Sequence, residues 1–133
     1  MDARFSFQVD PARDFVRITM AGLFSPRDTA DFVEARRQAH RQLQCAPNAH
    51  VTLNDVRGLK IQPQETVAAF REMLAAPDYR SRRLAFVAGQ TLARNQLLRA
   101  LGGREARCFD DPIQAEAWLF RSDAAAARRA AAG

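Results

Sequence analysis

The sequence predicts an α/β domain of order ββαβαβαβα, a mixed five-stranded sheet covered by four helices. Three observations carry this. Strand-like apolar runs alternate with segments of helical periodicity, which reads as parallel strands joined by crossover helices. Ser25-Pro26-Arg27-Asp28, Gln62-Pro63-Gln64-Glu65, Gly89-Gln90-Thr91 and Asp110-Asp111-Pro112 each follow such a run and open a helix; in three of them proline stands at the helix start, where its missing N–H does no harm. The first two runs are too close together for a crossover and must form a hairpin.

Arg4 to Val9 alternates polar and apolar residues, the period of a half-buried strand. Asp10 to Asp14 is turn chemistry, Phe15 to Met20 is a second strand, and Gly22 releases the chain from it. Ser25 and Asp28 make a capping box, with aspartate standing for the usual glutamate. The helix they open is expected to run to about Gln44, with Phe32, Val33, Ala39 and Leu43 toward the core and Glu34, Arg37, Gln38 and Arg41 in water. His50 to Asn54 is a short apolar third strand, followed by a loop through Val56 to Leu59. A second helix begins at Pro63, turns Val67, Phe70 and Leu74 to the sheet, and closes at Pro77. Leu84 to Ala88 is the fourth strand; Thr91 caps a third helix ending at Gly102-Gly103; Ala106 to Phe109 is the fifth strand. Asp111-Pro112 opens a last helix with Ile113, Ala117 and Phe120 at core spacing and Trp118 beside them. Residues 1–120 thus form one domain. Residues 121–133, rich in Ala and Arg without an apolar stripe, are a frayed helix or a disordered tail.

A chain of 133 residues, 47% hydrophobic and 26% charged, builds one self-sufficient core. No apolar run approaches the ~20 residues of a membrane span, and the first residues lack the pattern of a signal peptide. Cys45 and Cys108 are neither numerous nor at motif spacing, which fits a reducing cytoplasm. The net charge of +5 rests on 19 arginines and the single Lys60. An excess of Arg and Ala follows codon usage in a GC-rich genome, and a nucleic-acid partner is not expected without a concentrated basic patch.

Three stretches carry a family resemblance: VTLNDVRGL as the third strand and its exit, RRLAFVAGQ as the fourth strand, and CFDDPIQAEAWL as the closing strand and helix. Together they resemble the STAS domain, the fold of bacterial anti-sigma factor antagonists. More closely they resemble its SpoIIAA-like branch, grouped with CRAL-TRIO-type lipid-binding domains. The resemblance covers residues 4–120 and implies a bacterial regulatory protein working by protein–protein contact. In anti-sigma factor antagonists a serine at the start of the second helix is phosphorylated by a partner kinase. Here the matching stretch, Ile61-Gln62-Pro63-Gln64-Glu65-Thr66, holds no serine. Thr66 lies one turn too deep and reads as an ordinary helix residue, and Glu65 favours the helix dipole. No phosphorylation site is expected.

Ligands of open α/β sheets lie beyond the carboxyl ends of the parallel strands. The candidate ligand or partner rim is therefore Leu23, Phe24, Ser25, Asn54, Asp55, Arg57, Gly58, Gly89, Gln90 and Thr91, next to Asp110-Asp111. Backbone N–H groups there could hold an anion. Ser25, Thr91 and Asp111 also read simply as helix caps, each worth ~1 kcal/mol. Asp55 stands where response-regulator receivers carry their phosphoacceptor, but the acidic pair and lysine that such chemistry needs are missing, so it reads as a loop residue.

No catalytic set emerges. His40 and Cys45, five residues apart, point in different directions; His50 begins a strand and reads as exposed; Cys108 reads as buried filler. Two histidines and two cysteines without ligand spacing make no metal site, and no cofactor is implied. Tyr79-Arg80-Ser81-Arg82-Arg83, the densest basic run, reads as a solvated connection on the edge away from the rim, or as a docking point for a protein or acidic partner.

The expected function is a non-catalytic cytoplasmic regulatory or scaffolding module acting on an unidentified protein partner. The alternative is a carrier of a small apolar ligand or lipid in an apolar interior. A carrier needs a cavity of roughly a few hundred Å³; an interaction module needs an exposed apolar patch. Leu23, Phe24, Leu59 and Ile61, placed in rim loops, serve either. A homodimer through a helix or sheet edge stays open, with Arg4 deterring pairing along the first strand.

Overall fold

Period-2 alternation in the strands divides the apolar residues between two faces of one sheet. The computed structural model describes residues 2–89 and 106–120. Its strands are β1 (Arg4–Asp10), β2 (Phe15–Gly22), β3 (Val51–Leu59), β4 (Arg83–Val87) and β5 (Ala106–Phe109). They lie side by side in chain order, β1 antiparallel to β2 and every later pair parallel. Between them run α1 (Pro26–His40) and α2 (Gln64–Ala75), and the chain returns after β5 as α3 (112–120).

Each crossover steps the same way across the sheet, so right-handed connection puts α1 and α2 on one face. There Val16, Ile18 and Met20 of β2, Val56 of β3 and Leu84 and Phe86 of β4 meet Phe32 and Phe70 of the helices. The intervening residues Phe15, Val51, Leu53, Ala85 and Val87 point the other way and pack on Ala115 and Leu119 of α3. Phe5, Phe7, Phe24, Phe32 and Phe70 join ring to ring on the first face, with centroids 5.1 to 6.3 Å apart.

The capping box at Ser25 forms as expected: its Oγ accepts the Asp28 N–H at 3.1 Å, and Asp28 Oδ2 accepts the Ser25 N–H at 2.9 Å. Asp111 caps α3 through the Ile113 N–H. Pro63 stands one position before the first residue of α2 rather than within it.

Several expectations are corrected. α1 ends at His40, not Gln44, because Gln42 and Leu43 bond back three residues, to Ala39 and His40, and tighten the last turn. Val33, one position past the buried Phe32, is swung about 100° out of the core stripe and is exposed. β3 continues through the expected loop to Leu59, since Gly58 lets its backbone close on Ala21 of β2. α3 is rotated from its predicted face: Ala115 and Leu119 are buried, whereas Ile113 is 77% exposed. The expected four helices become three α-helices among the described residues. The helix predicted from Thr91 to Gly102-Gly103 and the tail 121–133 lie outside the described residues. β1 forms one sheet edge.

Candidate functional site

A short connection from α1 to β3 must bring the end of the helix beside the start of the strand. It brings together the only two histidines of the chain. His40 is the last residue of α1 and His50 immediately precedes β3, and their Nε2 atoms lie 3.1 Å apart. The rings meet edge to face with centroids 4.7 Å apart. His50 is only 2% exposed, correcting the expectation of an exposed strand start.

These rings floor a cavity of about 460 Å³. Leu43, Cys45, Pro47 and Asn48 of the α1–β3 connection form one side, and Pro77, Asp78 and Tyr79 of the α2–β4 connection the other. The two connections are tied together. Asn48 donates through Nδ2 to the Pro77 carbonyl at 3.1 Å and accepts the Arg80 N–H at 3.0 Å. The Arg82 N–H donates to the His50 carbonyl, and its Nε to the Ala49 carbonyl. Asn48 and Tyr79 adopt left-handed backbone, φ 62° and 60°, which the turns on either side impose. Arg36 secures Tyr79 by donating to its carbonyl at 3.1 Å while lying over its ring. The Tyr79 ring in turn covers His40 at 4.9 Å. The basic run thus begins as a wall of the cavity.

Burial draws the His40 imidazole below its ordinary pKa; the hydrogen bond from its Nδ1 to the Arg36 carbonyl opposes this, and the Arg36 charge adds to it. Burial and the neighbouring Asp14 push the Cys45 thiol up, so it is no thiolate at neutral pH. Ser81 Oγ lies 3.4 Å from His50 Nε2 and 2.6 Å from Thr52 Oγ1. His50 thus turns one nitrogen, Nε2, toward both Ser81 and His40. Among the described residues no three His, Cys, Asp or Glu side chains gather to hold a metal.

The predicted rim lies at the opposite end of the parallel strands, and the fold employs most of it structurally. Phe24 is buried in the phenylalanine cluster and Ser25 caps α1. Asn54 turns to the helix face, where it lines a small void of about 30 Å³; its buried Oδ1 has no hydrogen-bond partner among the described residues. Asp55, within β3, takes a bidentate ion pair from Arg57 at 2.7 and 3.0 Å. Burial raises its carboxyl, but the Arg57 side-chain and backbone hydrogen bonds and the charges of Arg57 and Arg17 outweigh this and leave it below the ordinary value. Gly58 abuts Ala21 and Gly89 follows β4; Gln90 and Thr91 lie outside the described residues. Gln62, read from the sequence only as part of a helix start, is buried between the rim loops. It accepts the Phe24 N–H at 2.9 Å and donates to the carbonyls of Gly22 and Lys60 at 3.0 and 2.6 Å. Thr66, expected to be ordinary, donates to the Phe24 carbonyl. Leu23 and Ile61, 43% and 53% exposed, flank these ties.

No family model matches the chain, and none of the curated proteins is similar to it in sequence. Among solved structures, one uncharacterized protein of the DUF3478 family from Shewanella loihica PV-4, described as having a SpoIIAA-like fold, superposes with a TM-score of 0.68 at 14% identity. The match covers 90% of this chain and 96% of that one. The fold is SpoIIAA-like. The hairpin, the parallel run of β2 to β5 and the closing helix are the frame of this SpoIIAA-like domain, and none of its described helices is long and apolar enough to cross a membrane. The signal for the cavity was the histidine spacing itself: a residue ending a helix and another starting the next strand, ten apart, meet at the amino end of the sheet.

Proposed function

We propose that this SpoIIAA-like domain is a non-catalytic binding module whose ligand, a small amphipathic molecule, lies against His40, His50 and Tyr79. One observation carries the reading: a cavity of about 460 Å³, inside the roughly 300–1,000 Å³ span of small-molecule sites. Proline and tyrosine walls offer apolar contact, and the histidine floor with Asn48 and Asp78 offers hydrogen bonds. The ligand is thus more polar than a lipid held in an apolar interior, since the space between sheet and helices is packed with phenylalanine rings. A cytoplasmic regulatory role follows by fold analogy. Native mass spectrometry of the purified protein, then of the denatured sample, tests it. The expected result is an adduct lost on denaturation and missing from Ala46→Trp, which fills the cavity from its exposed wall. An adduct that survives Ala46→Trp, or a bare mass that stays bare with a library of small amphipathic molecules, rejects the reading.

A second reading, contact with a protein, is favoured by the exposed Leu23 and Ile61 on loops that Gln62 holds rigid. For a homodimer of this kind, sedimentation would give a concentration-dependent mass that Leu23→Ser with Ile61→Ser abolishes.

A further inference from the structure

We infer that β1 is a self-pairing edge: two copies of this chain join their sheets through it, antiparallel, about a two-fold axis at Phe7. β1 stands at the end of the strand order, and among the described residues its backbone is paired on one side only, with β2. Along its seven residues every second N–H and C=O therefore points outward. Edge strands are ordinarily blunted by a proline, a bulge or a charge in mid-strand. β1 has none of these. It holds no proline, its register with β2 runs unbroken from Arg4 to Asp10, and Ser6 and Gln8 at its centre are uncharged. The other edge is protected in the usual way, since β5 is only four residues long and carries the exposed Arg107 within it.

Charge complementarity within the strand names the occupant. Centred on Phe7, antiparallel pairing sets Phe7 against Phe7 of the second copy, Ser6 against Gln8, Phe5 against Val9 and Arg4 against Asp10. The only two charges of β1 are thus opposite in sign and directly opposed, once at each end of the ladder. Arg4 alone deters pairing; Asp10, which lies beyond the strand expected from the sequence, complements it in this one register. Arg4 is exposed and makes no ion pair among the described residues. Arg13 takes Oδ2 of Asp10 at 2.9 Å and is itself held by Glu116, which leaves Oδ1 of Asp10 for the incoming guanidinium. On the helix face Phe5 and Phe7 pack on Phe32, which is 1% exposed, yet are themselves only half-buried because the sheet ends beside them. A second copy covers that open side, ring against ring across the axis. Pro11, without an N–H, ends the ladder just past Asp10. The interface is isologous and closed, so it yields a dimer rather than a fibre. It doubles the five-stranded sheet, keeps both helix layers on one side and sets the two cavities at opposite ends. The pairing is independent of any ligand in the cavity and separate from the rim patch at Leu23 and Ile61.

Sedimentation of the full chain against concentration, with charge reversals, tests it. The wild type is expected to dimerise, and Arg4→Asp or Asp10→Arg to raise its dissociation constant about tenfold or more, since each sets like charges opposite at both ends. Mixed in equal amounts, the two variants are expected to form a heterodimer of wild-type affinity, because each end then sets an acid of one against a base of the other. Leu23→Ser with Ile61→Ser, on the rim, is expected to leave this dimer intact. A wild type that stays monomeric to about 1 mM, single reversals that do not weaken the dimer, a mixture no tighter than its parts, or a dimer abolished by the rim pair overturns the pairing. If a variant does not fold, hydrogen exchange of the wild type decides. The outward amides of β1 are expected to slow as concentration rises, and exchange that is equal at high and low concentration overturns it.

Discussion

Gln62 accepts the backbone N–H of Phe24 at 2.9 Å, a contact spanning 38 residues that joins the exit of β2 to the entry of α2. The same side chain donates to two carbonyls, so both ends of its amide are engaged in a buried place. Replacing it with leucine leaves the Phe24 N–H buried without this acceptor. The expected loss is about 1–3 kcal/mol for each polar group stranded. Urea denaturation of Gln62→Leu checks this; a loss within error of zero would mean that another acceptor replaces the amide.

Gly58 and Ala21 pass so closely that a Cβ on Gly58 would sit 2.8 Å from that of Ala21. Gly58→Ala is therefore expected to destabilise by about 1–3 kcal/mol through overpacking. Ala21→Gly in the same chain should recover part of that, and the coupling in a double-mutant cycle measures the contact itself.

On the other face, Glu116 of α3 accepts Arg13 at 2.7 Å and Arg17 at 3.0 Å, while its neighbour Leu119 is wholly buried. The ion pairs are partly exposed and are expected to contribute less than about 1 kcal/mol, reduced further by salt. Leu119→Ala is expected to cost about 2–5 kcal/mol. Thermal melts of Glu116→Gln and Leu119→Ala at two salt concentrations separate the two.

Asp55 gives the fold a response to acid. Its carboxyl is held below its ordinary value, so the stabilisation is present above about pH 4 and is lost as the pH falls through the depressed folded value. Asp55→Asn should flatten the stability curve below about pH 4 and leave the curve at higher pH unchanged. A flattening near pH 6 instead would contradict the assignment.

Strand positions were legible because alternation and turn chemistry act over a few residues: Arg4 to Val9, Phe15 to Met20 and Ala106 to Phe109 stand in the fold where their local pattern puts them. The Ser25 and Asp28 cap was legible for the same reason. The rim was read from a general rule about open sheets. Phe24 and Asp55 departed from it because one is drawn into a ring cluster and the other is taken by Arg57, contacts that no local spacing encodes.

By itself, then, the sequence determined the order of the described elements, the parallel strands after one hairpin and the helix start at Ser25, all consequences of short-range sterics and hydrophobic period. Only the tertiary structure decided which face of α3 is buried, that β3 extends to Leu59, that Gln62 and Thr66 hold the rim loops, and that His40 meets His50 beneath Tyr79. Those outcomes depend on which surfaces the sheet's registration brings into contact, and a buried polar group finds its partner only after that choice is made.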